Sequence, residues 1–295
     1  MDGTTDGTAD DGTAHDGAMV DGTGHDGRVH DGTGHDGRVR DGTVDVGAAD
    51  YVDRVKALVD EVSRTQTDAV GRAAELMVAC LLDDGVIQAF GSGHSEAIAM
   101  EIAGRAGGLV PSNRLALRDV VLYGEAPVAT LLGPAGELER DPSVARRIYD
   151  LAPVRPQDVF VLISSSGVNG SVVELASIVK ERGHGLIALT SVRHSTAMTS
   201  RHPSGRKLLD LADVVLDNRA PYGDAVLPLP GGGTFGAVST ITSALLAQMV
   251  VAEVVRGLTR AGRTPPIYRS ANVTGGDEHN RLLENRYAGR IRRGA

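Results

Sequence analysis

Residues 159–171 read Val-Phe-Val-Leu-Ile-Ser-Ser-Ser-Gly-Val-Asn-Gly-Ser, and the chain continues at once into VVELASIVK. Five apolar residues in unbroken succession, rich in Val and Ile, describe a strand buried on both faces of a parallel sheet rather than one with a wet side. The segment after the glycines recurs at helical spacing. Between strand and helix stands a loop of hydroxyls and glycines, Ser164-Ser165-Ser166-Gly167-Val168-Asn169-Gly170-Ser171. Small residues let the backbone close around an anion, hydroxyls donate hydrogen bonds to it, and the following helix offers free amides with a favourable dipole.

The same grammar repeats on both sides of this stretch. Val86–Phe90, Leu115–Leu117, Leu186–Leu189 and Val214–Leu216 are further short apolar runs, separated by helical patterns that begin near His94, Gly170 and Phe235. Two helical stretches come first: Val52, Val55, Leu58, Val59 and Val62 mark one, and about 66–82 marks the next. The expected fold is α/β: a doubly wound, five-stranded parallel sheet flanked by helices, in which ligands sit at the carboxyl ends of the strands. A second hydroxyl-rich strand end, Gly91-Ser92-Gly93-His94-Ser95, and a third at Thr190-Ser191 accompany the first. One glycine-containing turn is weak evidence, whereas two hydroxyl-rich loops in register on one sheet point to phosphate. Neither loop matches GxGxxG, and no lysine follows the glycines, so a small phosphoester fits better than a nucleotide.

Composition narrows the partners. Residues 1–48 contain eleven acidic and three basic residues, leaving 27 of each sign in the body (38 less 11, and 30 less 3). A neutral body gives no electrostatic case for nucleic acid. Ala244–Val255, the most apolar stretch, is interrupted by Gln248 and Glu253, which argues against a membrane span. The amino terminus is not basic and then apolar, as a secretory signal is. A single cysteine, Cys80, excludes an intrachain disulfide. It fits a reducing compartment, so the expected location is the cytoplasm.

The first 48 residues form a degenerate decapeptide repeat, clearest as DGTGHDGRVH from Asp21 and DGTGHDGRVR from Asp31. With no apolar face to offset the entropy of ordering, this segment is expected to be a disordered tail, and 49–295 one folded domain. His15, His25, His30 and His35 stand among its aspartates and could suggest a metal tract, but a solvated repeat is the favoured reading. No thiolate site is available to one cysteine and no HxxxH pair sits on a helix, so neither metal nor other cofactor is expected.

The helix predicted over 94–106 places His94, Ile98, Glu101 and Arg105 on one face. Two readings compete: an ordinary Glu101–Arg105 ion pair at four-residue spacing, or a carboxylate facing the ligand and handling a proton. Glu96 is the reserve, nearer the loop but on another side of the helix. Among the histidines, His194 follows a strand and is better placed than His184, which precedes one. His202 and His279 lie in loops. Asp217, Asn218 and Asp224 occupy another strand end and its loop, where they bind sugar hydroxyls or cap a turn.

Strand-GSGHS followed by strand-SSSGVNGS resembles the sugar isomerase (SIS) domain of phosphosugar isomerases, lyases and regulators, which has a flavodoxin-like sheet. The segments from Ser191 to Leu227 and from Pro265 to Asn280 resemble a bacterial SIS subgroup related to N-acetylmuramic acid 6-phosphate etherases. The likeness covers about residues 50–290. It implies that Ser164, Ser166 and Ser171 hold a phosphate, with Ser95 touching sugar or phosphate. Around them, Ser92, Gly93, His94, Ser165, Gly167, Asn169, Asn218 and Asp224 complete the expected substrate site. Related enzymes use a glutamate in the first helix region, which favours Glu101 as the base, although the etherase glutamate falls some positions later and its Glu-Cys-Pro-Pro surroundings are absent. The acid is expected to be His194 or a carboxyl group.

The resemblance also implies a homodimer or homotetramer with shared sites. The face Val238, Ile241, Leu245, Gln248, Met249, Ala252 and Val255 of the long terminal helix is core in a monomer, and SIS proteins pair such helices between subunits. The activity implied is that of a lyase, a dehydratase acting on an N-acetylamino sugar 6-phosphate such as N-acetylglucosamine 6-phosphate. An aldose-ketose isomerase is the alternative, and a non-catalytic sugar-phosphate sensor the alternative of another class.

Overall fold

The computed structural model describes residues 39–40, 43–134 and 136–293. Most of the predicted tail therefore lies outside the described residues. Within it, β1 (Val39–Arg40) pairs antiparallel with β2 (Thr43–Val44). Two long helices follow, α1 (Ala48–Thr65) and α2 (Thr67–Leu82). The chain then alternates: β3 (Ile87–Gly91), α3 (Ser95–Ile102), β4 (Ser112–Leu115), α4 (Asp119–Leu122), α5 (Glu137–Arg140), α6 (Ser143–Leu151), β5 (Val159–Ile163), α7 (Gly170–Glu181) and β6 (Gly185–Thr190). Next come α8 (Val192–Ala197), α9 (Leu208–Leu211), β7 (Val214–Asp217), a hairpin of β8 (Ala225–Pro228) and β9 (Thr234–Ala237), α10 (Ser239–Arg260) and α11 (Gly276–Glu284).

The central sheet has five strands in the order β4-β3-β5-β6-β7, and every pairing is parallel. This is the flavodoxin-like sheet expected from the sequence, with its order reversing between β3 and β5. Period-two alternation sends each strand's side chains to both faces. Ile87, Ala89, Val159, Val161 and Ile163 join α2, α3 and α10 in one core. Phe90, Phe160 and Leu162 face α6, α7 and α9 in the other. Each such fully buried side chain contributes about 1.5–3 kcal/mol relative to exposure.

Three boundaries differ from the sequence reading. The second strand begins earlier, at Ser112, because its first residues are polar: Ser112 and Asn113 are buried, and pattern reading discards them. The helix expected over 94–106 ends at Ile102, with Ala103 extended. Residues 234–237 are not the start of the long helix α10 but strand β9, paired with β8.

The face expected to be buried on α10 is also corrected. Thr242, Ser243, Leu246, Ala247, Val250, Val254 and Leu258 are buried, while Ile241 is 40% exposed. The buried stripe includes the hydroxyls of Thr242 and Ser243 while the apolar Ile241 lies outside it, so apolar periodicity alone does not mark the buried face. Among the described residues α10 is the one helix long and apolar enough to cross a membrane. Its buried face is instead part of the core that it shares with α2.

Candidate functional site

Two close approaches shape the carboxyl edge of the sheet. A Cβ on Gly91 would lie 2.3 Å from the carbonyl oxygen of Ser95, so only glycine lets α3 start directly above β3. A Cβ on Gly170 would lie 2.1 Å from the carbonyl oxygen of Arg140. Glycine there lets α5 press against the start of α7. That contact is fastened by the Ser171 hydroxyl, which donates to the Glu139 carbonyl at 2.8 Å, and by Asn169 Nδ2, which donates to Glu139 Oε1 at 2.6 Å.

A cavity of about 330 Å³ opens between these loops, on the line where strand order reverses. Ser92, Gly93, His94 and Ser95 form one wall, and Ser164, Ser165 and Ser166 another. Glu139, His194, Asp224 and the start of α10, with Ser239, Thr240 and Ser243, complete it. Ligands of doubly wound sheets occupy this kind of crevice.

Several sequence candidates thus meet in one space, and others stand behind it. Ser164 Oγ accepts from the Gly167 amide at 3.0 Å, which folds the serine loop back on itself. Asn218 is buried, and its Nδ2 donates to Ser243 Oγ at 3.0 Å and Ser165 Oγ at 3.4 Å, steadying two cavity walls. Asn169 and Ser171 are spent on Glu139 rather than lining the cavity. Asp224 does line it, while accepting from the Ser239 amide at 2.7 Å, the Ser239 hydroxyl at 2.6 Å and the Val238 amide at 3.2 Å.

Glu101 is not among the cavity-lining residues. Its carboxylate pairs with Arg105 and accepts from Gln248 Nε2 at 2.7 Å. Glu96 pairs with Arg118 at 2.7 Å. The carboxylate that sequence reading missed is Glu139. No strand end announces it, since it sits in the single-turn helix α5, preceded by Gly136. Its one signal is the demand of Asn169 for an acceptor, which becomes visible only in three dimensions.

His194 stands in the cavity wall with its ring 5.3 Å from that of Tyr222. Burial pushes its imidazole below the ordinary value of 6.5, and the nearby Asp224 carboxylate partly opposes this. Its Nδ1 is buried and has no hydrogen-bond partner among the described residues. The other histidines are engaged elsewhere. His202 bonds Glu174 at 2.8 Å and lines a second recess on the far side of α7. His279 bonds the Ile267 carbonyl at 3.0 Å, and His184 joins Tyr149 and the Asp158 carbonyl.

Fold and site together define an SIS domain, and residues 50–191 match that domain family. Within it the chain belongs to the UPF0309 family. It is 40% identical over 243 residues to the UPF0309 protein lmo0025 of Listeria monocytogenes, covering 82% of this chain and 97% of that protein. A UPF0309 protein of Caldanaerobacter subterraneus subsp. tengcongensis is 33% identical over 246 residues, covering 82% of this chain and 98% of the relative. Among solved structures, a phosphoheptose isomerase from Neisseria gonorrhoeae is 24% identical with a TM-score of 0.47, over 70% of this chain and 96% of that one.

Proposed function

We propose that the cavity binds an N-acetylamino sugar 6-phosphate and eliminates water from it, making the protein a carbon-oxygen lyase. The carrying observation is the meeting of two hydroxyl-lined strand ends with Glu139 and His194 in one cavity of about 330 Å³. Serine hydroxyls and backbone amides hold the phosphate, a part of the substrate that does not react, and its binding energy positions the carbons that do.

In the open-chain sugar the aldehyde at carbon 1 acidifies the hydrogen on carbon 2. Glu139 takes that proton as the base. The carbon-oxygen bond at carbon 3 breaks, a double bond forms between carbons 2 and 3, and the departing oxygen takes the proton that Glu139 now carries and leaves as water. His194, kept neutral by burial, presents a ring N–H to that oxygen. General acid-base help of this kind is worth about 10²- to 10⁴-fold in rate. Glu139 takes the role that sequence reading gave to Glu101, because it lines the cavity and Glu101 does not.

The half-exposed face of α10, which includes Ile241, is read as the surface where a second copy packs, making the working form a homo-oligomer. Sedimentation equilibrium checks this, and a monomer at micromolar concentration refutes it.

One experiment tests the chemistry: incubation with N-acetylglucosamine 6-phosphate in deuterated water, followed by mass and by exchange at carbon 2. Loss of water supports the lyase. Exchange without loss of water identifies an isomerase, which begins with the same proton abstraction and delivers the proton to carbon 1. Binding with neither outcome identifies a sensor.

A further inference from the structure

The cavity wall contains hydroxyls, two histidines and two carboxylates, but among the described residues it contains no lysine or arginine. Neutral donors therefore meet the phosphate, and the lining limits how many anionic groups the ligand can carry. The serine loop at one end can solvate one phosphate through neutral donors. At the other end, the first turn of α10 would itself attract an anion, but Asp224 already occupies it. Its carboxylate accepts from the Val238 and Ser239 amides and from the Ser239 hydroxyl.

Among the described residues no cation pairs with Glu139 either. Its Oε1 accepts from Asn169 Nδ2, whose own oxygen is taken by Arg201 at 3.1 Å. Charge from Arg201 is therefore spent on the amide rather than on the carboxylate. Of the remaining titratable groups facing the space, His194 is held neutral by burial, leaving His94 at the exposed rim.

We propose that the cavity selects sugars bearing one phosphate and otherwise uncharged hydroxyl or amide groups, with Glu139 and Asp224 turning away a second anion. This rests on the phosphosugar reading above and narrows it. A hydroxyl or an amide N–H finds a ready acceptor in either carboxylate. A second phosphate or a carboxylate meets like charge in a partly dry cavity, where such juxtaposition outweighs any new contact.

The test uses two matched pairs: glucose 6-phosphate against glucose 1,6-bisphosphate, and N-acetylglucosamine 6-phosphate against its 3-O-lactyl ether. Each is titrated calorimetrically into the full-length protein and into the Asp224→Asn and Glu139→Gln variants. The expected result is that the second member of each pair binds at least about tenfold more weakly. At least one variant should narrow that ratio by recovering affinity for the second member.

Equal affinity within both pairs overturns the selectivity and leaves phosphosugar binding intact. Discrimination that persists in both variants assigns it to shape and overturns the role of the carboxylates. No affinity for any of the four overturns the phosphosugar reading together with this one. Because Asp224 also caps a helix, the Glu139→Gln protein, whose change removes no cap, keeps the test decisive if Asp224→Asn fails to fold.

Discussion

The two edges of the central sheet treat polar groups in opposite ways. At the amino edge the buried carboxylate and amides are committed to one another. Asp158, fully buried, accepts from the Val86 amide at 2.9 Å, Gln88 Nε2 at 2.9 Å, the Arg155 amide at 3.1 Å and Arg290 Nη2 at 2.6 Å. Asn113 donates to Gln88 at 3.1 Å and accepts from the Arg292 amide at 2.9 Å. At the carboxyl edge the hydroxyls are held in reserve: among the described residues no hydrogen bond engages the side chains of Ser92, Ser95 or Ser166, all of which line the cavity. Saturated polar groups fix a structure and unsaturated ones await a ligand, so the first edge answers for stability and the second for function.

The largest effect should come from cutting the saturated edge. Asp158→Ala leaves Arg290 as a buried, uncompensated charge and strands three further donors. A loss of about 3–5 kcal/mol is expected, read as a lower midpoint in urea at unchanged slope. A shift below about 1 kcal/mol would show that the network is ornamental and would break the contrast between the edges.

At the reserved edge the informative experiment is a pair of substitutions. Glu139→Gln should lower turnover of N-acetylglucosamine 6-phosphate by about 10²-fold or more while leaving the melting temperature nearly unchanged. Glu101→Gln, which alters a carboxylate tied to Arg105 and Gln248 outside the cavity lining, should change turnover by less than about threefold, since no acid-base contribution of the usual size is lost. The reverse ranking would return the base to Glu101.

The sheet was legible in the sequence because burial on both faces writes itself as an unbroken apolar run: VFVLI at 159–163 has the observed limits of β5. The serine loops were legible because a strand end rich in hydroxyls has few other uses. What escaped reading was whatever depends on partners distant in the chain. Glu139 reaches the cavity only through contacts with Asn169 and Ser171, some thirty positions away. Ser112 and Asn113 lie inside the second strand because Leu109 and Gln88 satisfy them. The buried stripe of α10 is not legible because it takes in the hydroxyl residues Thr242 and Ser243 and leaves the apolar Ile241 exposed.

A smaller effect should appear with pH. Burial lowers the affinity of His194 for a proton in the folded state, relative to the ordinary value of 6.5. The unfolded chain therefore binds more protons than the native one just below pH 6.5, so stability rises with pH there and falls on acidification. Above that value the imidazole is neutral in both states and contributes nothing to the slope. His194→Asn should remove this component from the pH dependence of the urea midpoint. In the same variant the acid limb of the rate profile should shift or vanish. A profile identical to that of the parent would take His194 out of the mechanism.

The finest probe of the contrast is Cys80, which lies buried beneath the amino edge with its thiol pushed up to about 12 by burial, a backbone hydrogen bond from Val159 partly opposing this and the Asp158 charge adding to it. The thiolate, not the thiol, reacts with disulfide reagents, so the native protein should be almost inert to them. It should become reactive only in states that open this part of the fold. Labelling then reports local opening rather than chemistry. Asp158→Ala should accelerate it strongly, whereas Glu139→Gln, a change at the opposite edge, should leave the rate within about twofold, as expected for separate sites without shared partners. Equal acceleration by both would mean that the two edges open together, and that stability and function are not divided between them.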